Sequence, residues 1–137
     1  MKTIVIGYDA TDPAERALER AAQLAGAFGS QVIVISVSPV SLAAGRGVAG
    51  PDPTSPPELH EKELGDARRR LQEYGVEPEL VLGLGDPPRT MVELAEERGA
   101  DLIVLGTRQV GALARMLGQS VSEEVLRSAP CDVLLVR

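Results

Sequence analysis

The chain holds one cysteine and one histidine among 137 residues, with no tryptophan, two tyrosines and one phenylalanine. A lone cysteine, Cys131, closes no internal disulfide and builds no cysteine-rich metal site, which fits a reducing compartment. The sole histidine, His60, has no second histidine or cysteine cluster with which to share zinc, so it reads as a solvated residue of a charged helix, and no protein-only metal site is expected. Basic residues are scarce: 14 Lys and Arg against 20 Asp and Glu leave a net charge of −6 at pH 7. Their dispersal excludes a broad nucleic-acid surface, whereas one bound nucleotide needs only loop amides and one or two arginines. No apolar run reaches membrane-spanning length, so no membrane partner is expected. A strand-like run begins at Thr3, too early for a charged leader and a cleaved apolar segment, and a cytoplasmic protein is expected.

Two phosphate-binding fingerprints are also missing. There is no G-x-x-x-x-G-K-[ST] loop with its lysine, and Gly7-Tyr8-Asp9 stands after the first strand where a G-x-G-x-x-G turn would begin. No spacing pairs a nucleophile with a base. No catalytic residue is assigned, and the chain reads as a binder rather than an enzyme.

What is present is alternation. Short apolar, often β-branched runs at 3–7, 31–37, 80–84, 102–105 and 133–136 are separated mostly by helical patterns, which predicts an α/β fold, a mainly parallel sheet between helices on both faces. The whole of 1–137 reads as one domain. The first helix, from about Pro13 to Ala27, carries the stripe Ala14, Ala17, Leu18, Ala21, Ala22 and Ala25, with Asp12 as its cap. Five prolines and three glycines between Ser38 and Pro57 describe a surface loop that is long for this connection. The charged helix after it, roughly 58–74, buries Leu59, Leu64, Ala67 and Leu71. Phe28 is placed in the core. Asp86 caps the third helix ahead of Pro87, and the last helix begins near Ser120.

The strongest constellation is Gly106-Thr107-Arg108 after Leu102–Leu105, answered by Gln119-Ser120-Val121-Ser122. A buried strand emptying into a glycine-containing loop before a helix places unpaired amides where an anion binds. Thr107 and Ser120 can donate to phosphate oxygens, and Arg108 or Arg115 adds charge. The structural alternative is that Ser120 and Ser122 cap the last helix while the arginines stay solvated. Asp9, before Ala10-Thr11-Asp12, lies at the carboxyl edge of the sheet. It either accepts from a base amino group or ribose hydroxyl, or only organises the turn.

With the Asp9 turn, Gly85-Asp86-Pro87, Ala100–Arg108, Ser120–Leu126 and the ending Ala129-Pro130-Cys131 in order, the chain resembles the universal stress protein family over almost its entire length. The resemblance implies a three-layer fold around an open parallel five-stranded sheet of order 3-2-1-4-5. It also implies a homodimer joined through the last strand, Val133, Leu134, Leu135 and Val136. It implies an adenine nucleotide, ATP or AMP, with Asp9, Ala10 and Val37 near the adenosine and Leu105, Gly106, Thr107, Arg108, Gln119, Ser120, Val121 and Ser122 around the rest. Magnesium would arrive only with the phosphates. In the family's ATP-binding branch the pattern is G-x2-G-x9-G-[ST]; here Gly106 and Ser120 match, while Gln109 and Gln119 replace two glycines. Glutamine resists positive φ, and its side chain can enter the phosphate volume. The adenosine half of the resemblance is therefore better kept than the triphosphate half. The implied function is a stress-response or regulatory nucleotide binder without a fast reaction. The alternatives are a nucleotide-independent dimeric interaction protein and a slow nucleotide hydrolase.

Overall fold

Alternation along the strands decides which helix packs on which face. A computed structural model describes residues 1–42, 49–107 and 121–137. Its elements are β1 (Thr3–Gly7), α1 (Asp12–Phe28), β2 (Gln31–Ser38), β3 (Val40–Leu42), β4 (Ala49–Pro51), α2 (Pro57–Glu73), β5 (Glu79–Leu84), α3 (Pro87–Arg98), β6 (Leu102–Gly106), α4 (Val121–Ser128) and β7 (Asp132–Val136). Five strands form one parallel sheet in the order β5-β2-β1-β6-β7. Counted along the chain without the short β3 and β4, this is 3-2-1-4-5, as the resemblance implies. Ile4, Ile6, Val32, Val34, Leu102 and Val104 face α1 and α2. The residues between them, among them Val5, Ile33, Ile35, Ile103 and Leu105, face Met91, Val92, Leu94 and Ala95 of α3 and Val125 of α4. Both faces are apolar because both are covered, so the strands read as continuous hydrophobic runs.

Helix α1 lays its alanine stripe on the first of these faces, and Leu18 is its one large buried side chain. The cap is Thr11, whose Oγ1 accepts from the Ala14 N–H at 3.4 Å; Asp12, expected to cap, is instead the first helical residue. Thr11 prevails because its backbone is extended while Asp12 has already entered the helix. Asp86 caps α3 as expected, accepting from the Arg89 N–H at 3.3 Å.

Three other expectations change, at Phe28, Leu59 and His60. The Pro/Gly-rich stretch at 38–57, expected as a surface loop, carries a short ribbon: β3 and β4 pair antiparallel, Val40 opposite Pro51, and the Asp52 N–H donates to the Pro39 carbonyl at 3.0 Å. Proline is tolerated there because this two-stranded ribbon consists only of edges. Phe28 is 60% exposed, at the last position of α1 and beyond the last buried residue, Ala25. On α2 the inward residues are His60, Leu64, Ala67 and Leu71, while Leu59 is 42% exposed. His60 is buried rather than solvated, because hydroxyls from Ser36 and Ser55 occupy both ring nitrogens.

Asp101 ties the start of the chain to the turn before β6, since its Oδ2 accepts from the Lys2 and Thr3 N–H groups at 2.7 and 2.9 Å. Those bonds, Thr3 first, hold its carboxyl below the usual carboxylate range. A depressed native value contributes stability that is complete above the ordinary carboxylate pKa and is lost as pH falls through the native one. Asp101→Asn should therefore lower stability at neutral pH and flatten the acid limb of the stability–pH curve, the two proteins converging as pH falls through the native value, measured by urea melts from pH 7 downward.

Candidate functional site

The order of the strands reverses between β1 and β6, since β2 and β5 lie on one side of β1 and β6 and β7 on the other. At such a switch point the connections leave on opposite faces and open a crevice beyond the carboxyl ends of the strands. β1 is short here. It ends at Gly7, opposite Ile35 and Leu105, while β2 continues to Ser38, still paired with β5. The end of β1 is thus a notch, with residues 36–38 overhanging it on one side and Gly106-Thr107 on the other.

The loop out of β1 is held by its own polar groups. Asp9 Oδ1 accepts from the Thr11 N–H at 3.2 Å and from Thr11 Oγ1 at 2.5 Å, closing an Asx turn. Ala10 inside that turn has φ +61°, the one positive φ at a non-glycine residue among the described residues. Asp9 is exposed, so its carboxylate lies on the open edge while organising the turn. Tyr8 before it is buried and donates its hydroxyl proton to Glu15 Oε1. Burial, and after it the Glu15 carboxylate, push that phenol above its ordinary range, so Tyr8 is a neutral anchor beneath the loop.

Gly106 brings the two sides of the crevice together. A Cβ placed there would lie 2.4 Å from the Pro13 carbonyl carbon and 2.5 Å from the Ala14 nitrogen. The end of β6 is therefore in backbone contact with the first turn of α1, which puts the Asp9–Thr11 turn alongside the β6 exit. Thr107 follows, and its N–H donates to the Val136 carbonyl at 2.7 Å, extending the β6–β7 ladder. That amide is committed to β7. Leu105 is buried against α3, and Val37 is buried on the same face, in register with Gly83. Gly85, which ends the neighbouring β5 exit with φ +128°, donates its N–H to the Ser38 carbonyl at 3.1 Å.

The first turn of α4 carries Glu123 and Glu124. Two carboxylates there already complement the positive end of the helix, which lowers its attraction for a highly charged phosphate chain. Val121 is exposed and Ser122 half-buried in the same turn. Arg108, Gln109, Arg115, Gln119 and Ser120 lie outside the described residues. Among the described residues no group of three or more His, Cys, Asp or Glu is placed to hold a metal ion, and no helix is long and apolar enough to cross a membrane.

Sequence reasoning missed why Gly106 is glycine, because the backbone it meets is about ninety residues earlier in the chain. It also missed the burial of His60. That signal was available: His60, Leu64, Ala67 and Leu71 recur at helical spacing, and the same stripe drawn through Leu59 does not.

Comparison with known proteins is consistent along the whole chain. The model of the universal stress protein family matches residues 1–137. A universal stress protein of Methanocaldococcus jannaschii is 34% identical over 139 residues, covering 99% of this chain and 82% of its own length. One from Mycobacterium tuberculosis is 35% identical over 142 residues, covering 98% and 95%. Among solved structures, a universal stress protein in complex with cAMP superposes with a TM-score of 0.78 at 31% identity, over 99% of this chain and 96% of that one. The universal stress protein of Archaeoglobus fulgidus in complex with dAMP gives 0.74 at 26% identity, over 100% and 98%.

Proposed function

The chain belongs to the universal stress protein family, and from that premise we propose that it binds an adenine nucleotide at the β1–β6 crevice as a regulatory or stress-response protein. The observation that carries this reading is the backbone contact of Gly106 with Pro13 and Ala14, which sets the Asp9 turn beside the β6 exit at the switch point. The cAMP and dAMP complexes of its relatives support the ligand class. Asp9 and Ala10 form the wall next to the base or ribose, with Val37 across the notch. Leu105 and Gly106 form the floor, and the Thr107 hydroxyl serves the phosphate together with Arg108, Gln119, Ser120, Val121 and Ser122.

The carboxylates of Glu123 and Glu124, with Gln109 and Gln119 in place of glycines, favour a ligand with few phosphates. ATP belongs to the proposal as the weaker ligand. Among the described residues assigned to the phosphate end, Thr107, Val121 and Ser122, none is a general base, and the site is read as one that binds and reports rather than turning over.

Calorimetry tests this with protein freed of carried-over nucleotide, titrated with AMP and ATP with and without Mg²⁺. AMP should saturate, and ATP should bind no more tightly. Absence of binding at millimolar ligand would transfer the case to a nucleotide-independent interaction protein. Asp9→Ala should weaken AMP by about 10-fold, the usual scale for one hydrogen bond to a charged group. Equal affinity in the folded variant would remove Asp9 from the contact.

The same proposal includes a homodimer. Among the described residues β7 is hydrogen-bonded to β6 alone, and its half-buried Val133, Leu134, Leu135 and Val136 sit at the sheet edge. An edge of this kind is a template for pairing with a second chain. Sedimentation equilibrium should return twice the chain mass, and a monomer at high concentration would dismiss the dimer.

A further inference from the structure

The buried histidine carries an inference that the nucleotide crevice does not use. His60 Nε2 lies 2.7 Å from Ser55 Oγ, and His60 Nδ1 lies 2.7 Å from Ser36 Oγ. Ser36 Oγ in turn reaches Glu63 Oε2 at 3.4 Å, and Glu63 Oε2 is 3.5 Å from Nδ1. The tautomer protonated at Nδ1 satisfies every contact of this cluster. An ionised carboxylate only accepts, so the Ser36 hydroxyl donates to Glu63 and its oxygen is left to accept from Nδ1–H. A neutral ring protonated at Nδ1 presents a lone pair at Nε2, and the Ser55 hydroxyl donates to it. A hydroxyl in contact with a basic nitrogen, whose ring is oriented from the far side by a group ending in a carboxylate, is the arrangement that activates serine.

The surroundings fit that chemistry. His60 is 8% exposed and Ser36 1%, so the base and its support are sheltered, while Ser55 itself is half-exposed in the turn before α2. Ser55 is anchored at the backbone: its carbonyl accepts from Ser38 Oγ at 3.0 Å, and its N–H donates to the Asp52 carbonyl at 3.0 Å. The first turn of α2 begins two residues later with Pro56 as N-cap and has no side-chain cap; Pro56 and Pro57 carry no N–H, and the Leu59 N–H donates to the Pro56 carbonyl at 3.1 Å. Leu59, in that turn, offers exposed apolar surface.

We propose that Ser55 is a nucleophilic serine that accepts an acyl group from a small carboxylic ester, with His60 as its general base and Ser36 and Glu63 as positioning residues. Ser55 Oγ attacks the ester carbonyl carbon as its proton passes to His60 Nε2. The bond from that carbon to the leaving oxygen then breaks, and His60 returns the proton to the departing alcohol. The products are acyl-Ser55 and an alcohol. Water then gives a proton to the same nitrogen as it attacks the acyl carbon, the bond from that carbon to Ser55 Oγ breaks, and His60 returns the proton to Ser55 as the acid leaves. The site stands on the α2 side of the sheet and does not depend on the nucleotide reading.

The full-length chain is incubated with a fluorophosphonate probe and, separately, with p-nitrophenyl acetate, and the adduct is located by peptide mass spectrometry. The expected adduct is on Ser55, absent from Ser55→Ala and formed at least about 100-fold more slowly in His60→Gln, the usual lower bound for losing a general base. Ser55→Cys guards against a His60 variant that does not fold. Its new thiol should be alkylated by iodoacetamide faster than Cys131, which burial first, then Asp132 and Asp101, hold above the ordinary thiol range. Glu63→Gln should slow acylation without lowering the melting temperature, an outcome that a purely structural role would not produce. No adduct on the wild-type chain, an adduct on another hydroxyl, or a Ser55→Cys variant alkylated no faster at that position than at Cys131 would each overturn the assignment.

Discussion

Gly106→Ala should cost about 3 kcal/mol of folding stability, at the upper end of what an added methyl exacts in a packed interior. The added carbon would meet Pro13 carbonyl and Ala14 amide atoms at 2.4 to 2.6 Å, and these belong to the backbone of a capped helix. Relief requires α1 to move as a body, along with the alanine stripe it presses on β1 and β6. Gly7 supplies the control. A Cβ there meets Leu105 Cδ2 at 2.5 Å and Met91 Sδ at 2.6 Å, ends of flexible side chains that can rotate away. Gly7→Ala should therefore cost about 1 kcal/mol. Urea denaturation of the two variants separates the explanations, and equal losses would show that α1 accommodates the methyl. The same comparison bears on the nucleotide reading. If Gly106→Ala folds but binds AMP poorly, the ligand lies at the contact between the β6 exit and the first turn of α1.

Leu18→Ala should be at least as damaging, at about 3–5 kcal/mol. Leu18 is fully buried and is the one large side chain on a stripe otherwise built of alanine. Neighbouring leucines often rotate into a cavity and recover part of the loss, but Ala14, Ala17, Ala21 and Ala22 have no side-chain length with which to do so. The cost should fall at the poorly collapsing end of the usual range. Thermal melting by circular dichroism, with an unchanged spectrum at low temperature, is the check. A loss near 1 kcal/mol would mean that β1 or β6 residues fill the space.

Patterns confined to one element are legible in the chain itself. The five sheet strands, the stripe of α1, the Asp86 cap and the separation of turn from strand at Asp9 depend on neighbours within a few residues, and those neighbours are explicit in the sequence. The strand order came through resemblance, since periodicity identifies strands but does not pair them. The placements that went astray turn on where a helix begins and ends and on partners that are distant. Thr11 rather than Asp12 caps α1 because one backbone conformation differs. Phe28 is exposed because it lies at the very end of α1, past the last residue that the stripe buries.

Composition and spacing alone determined an α/β protein with helices on both faces of a parallel sheet, short of metal ligands and of the lysine-bearing phosphate loop. Only the tertiary structure decided that Gly106 is glycine to admit the backbone of α1. It also decided that the Thr107 amide is spent on β7 and that Ser36, Ser55, His60 and Glu63 meet. The physical reason is the same in each case. Hydrophobic periodicity is a local property of the chain, whereas a close backbone approach or a directed hydrogen bond exists only once segments far apart in sequence have been packed to within a few ångströms of one another.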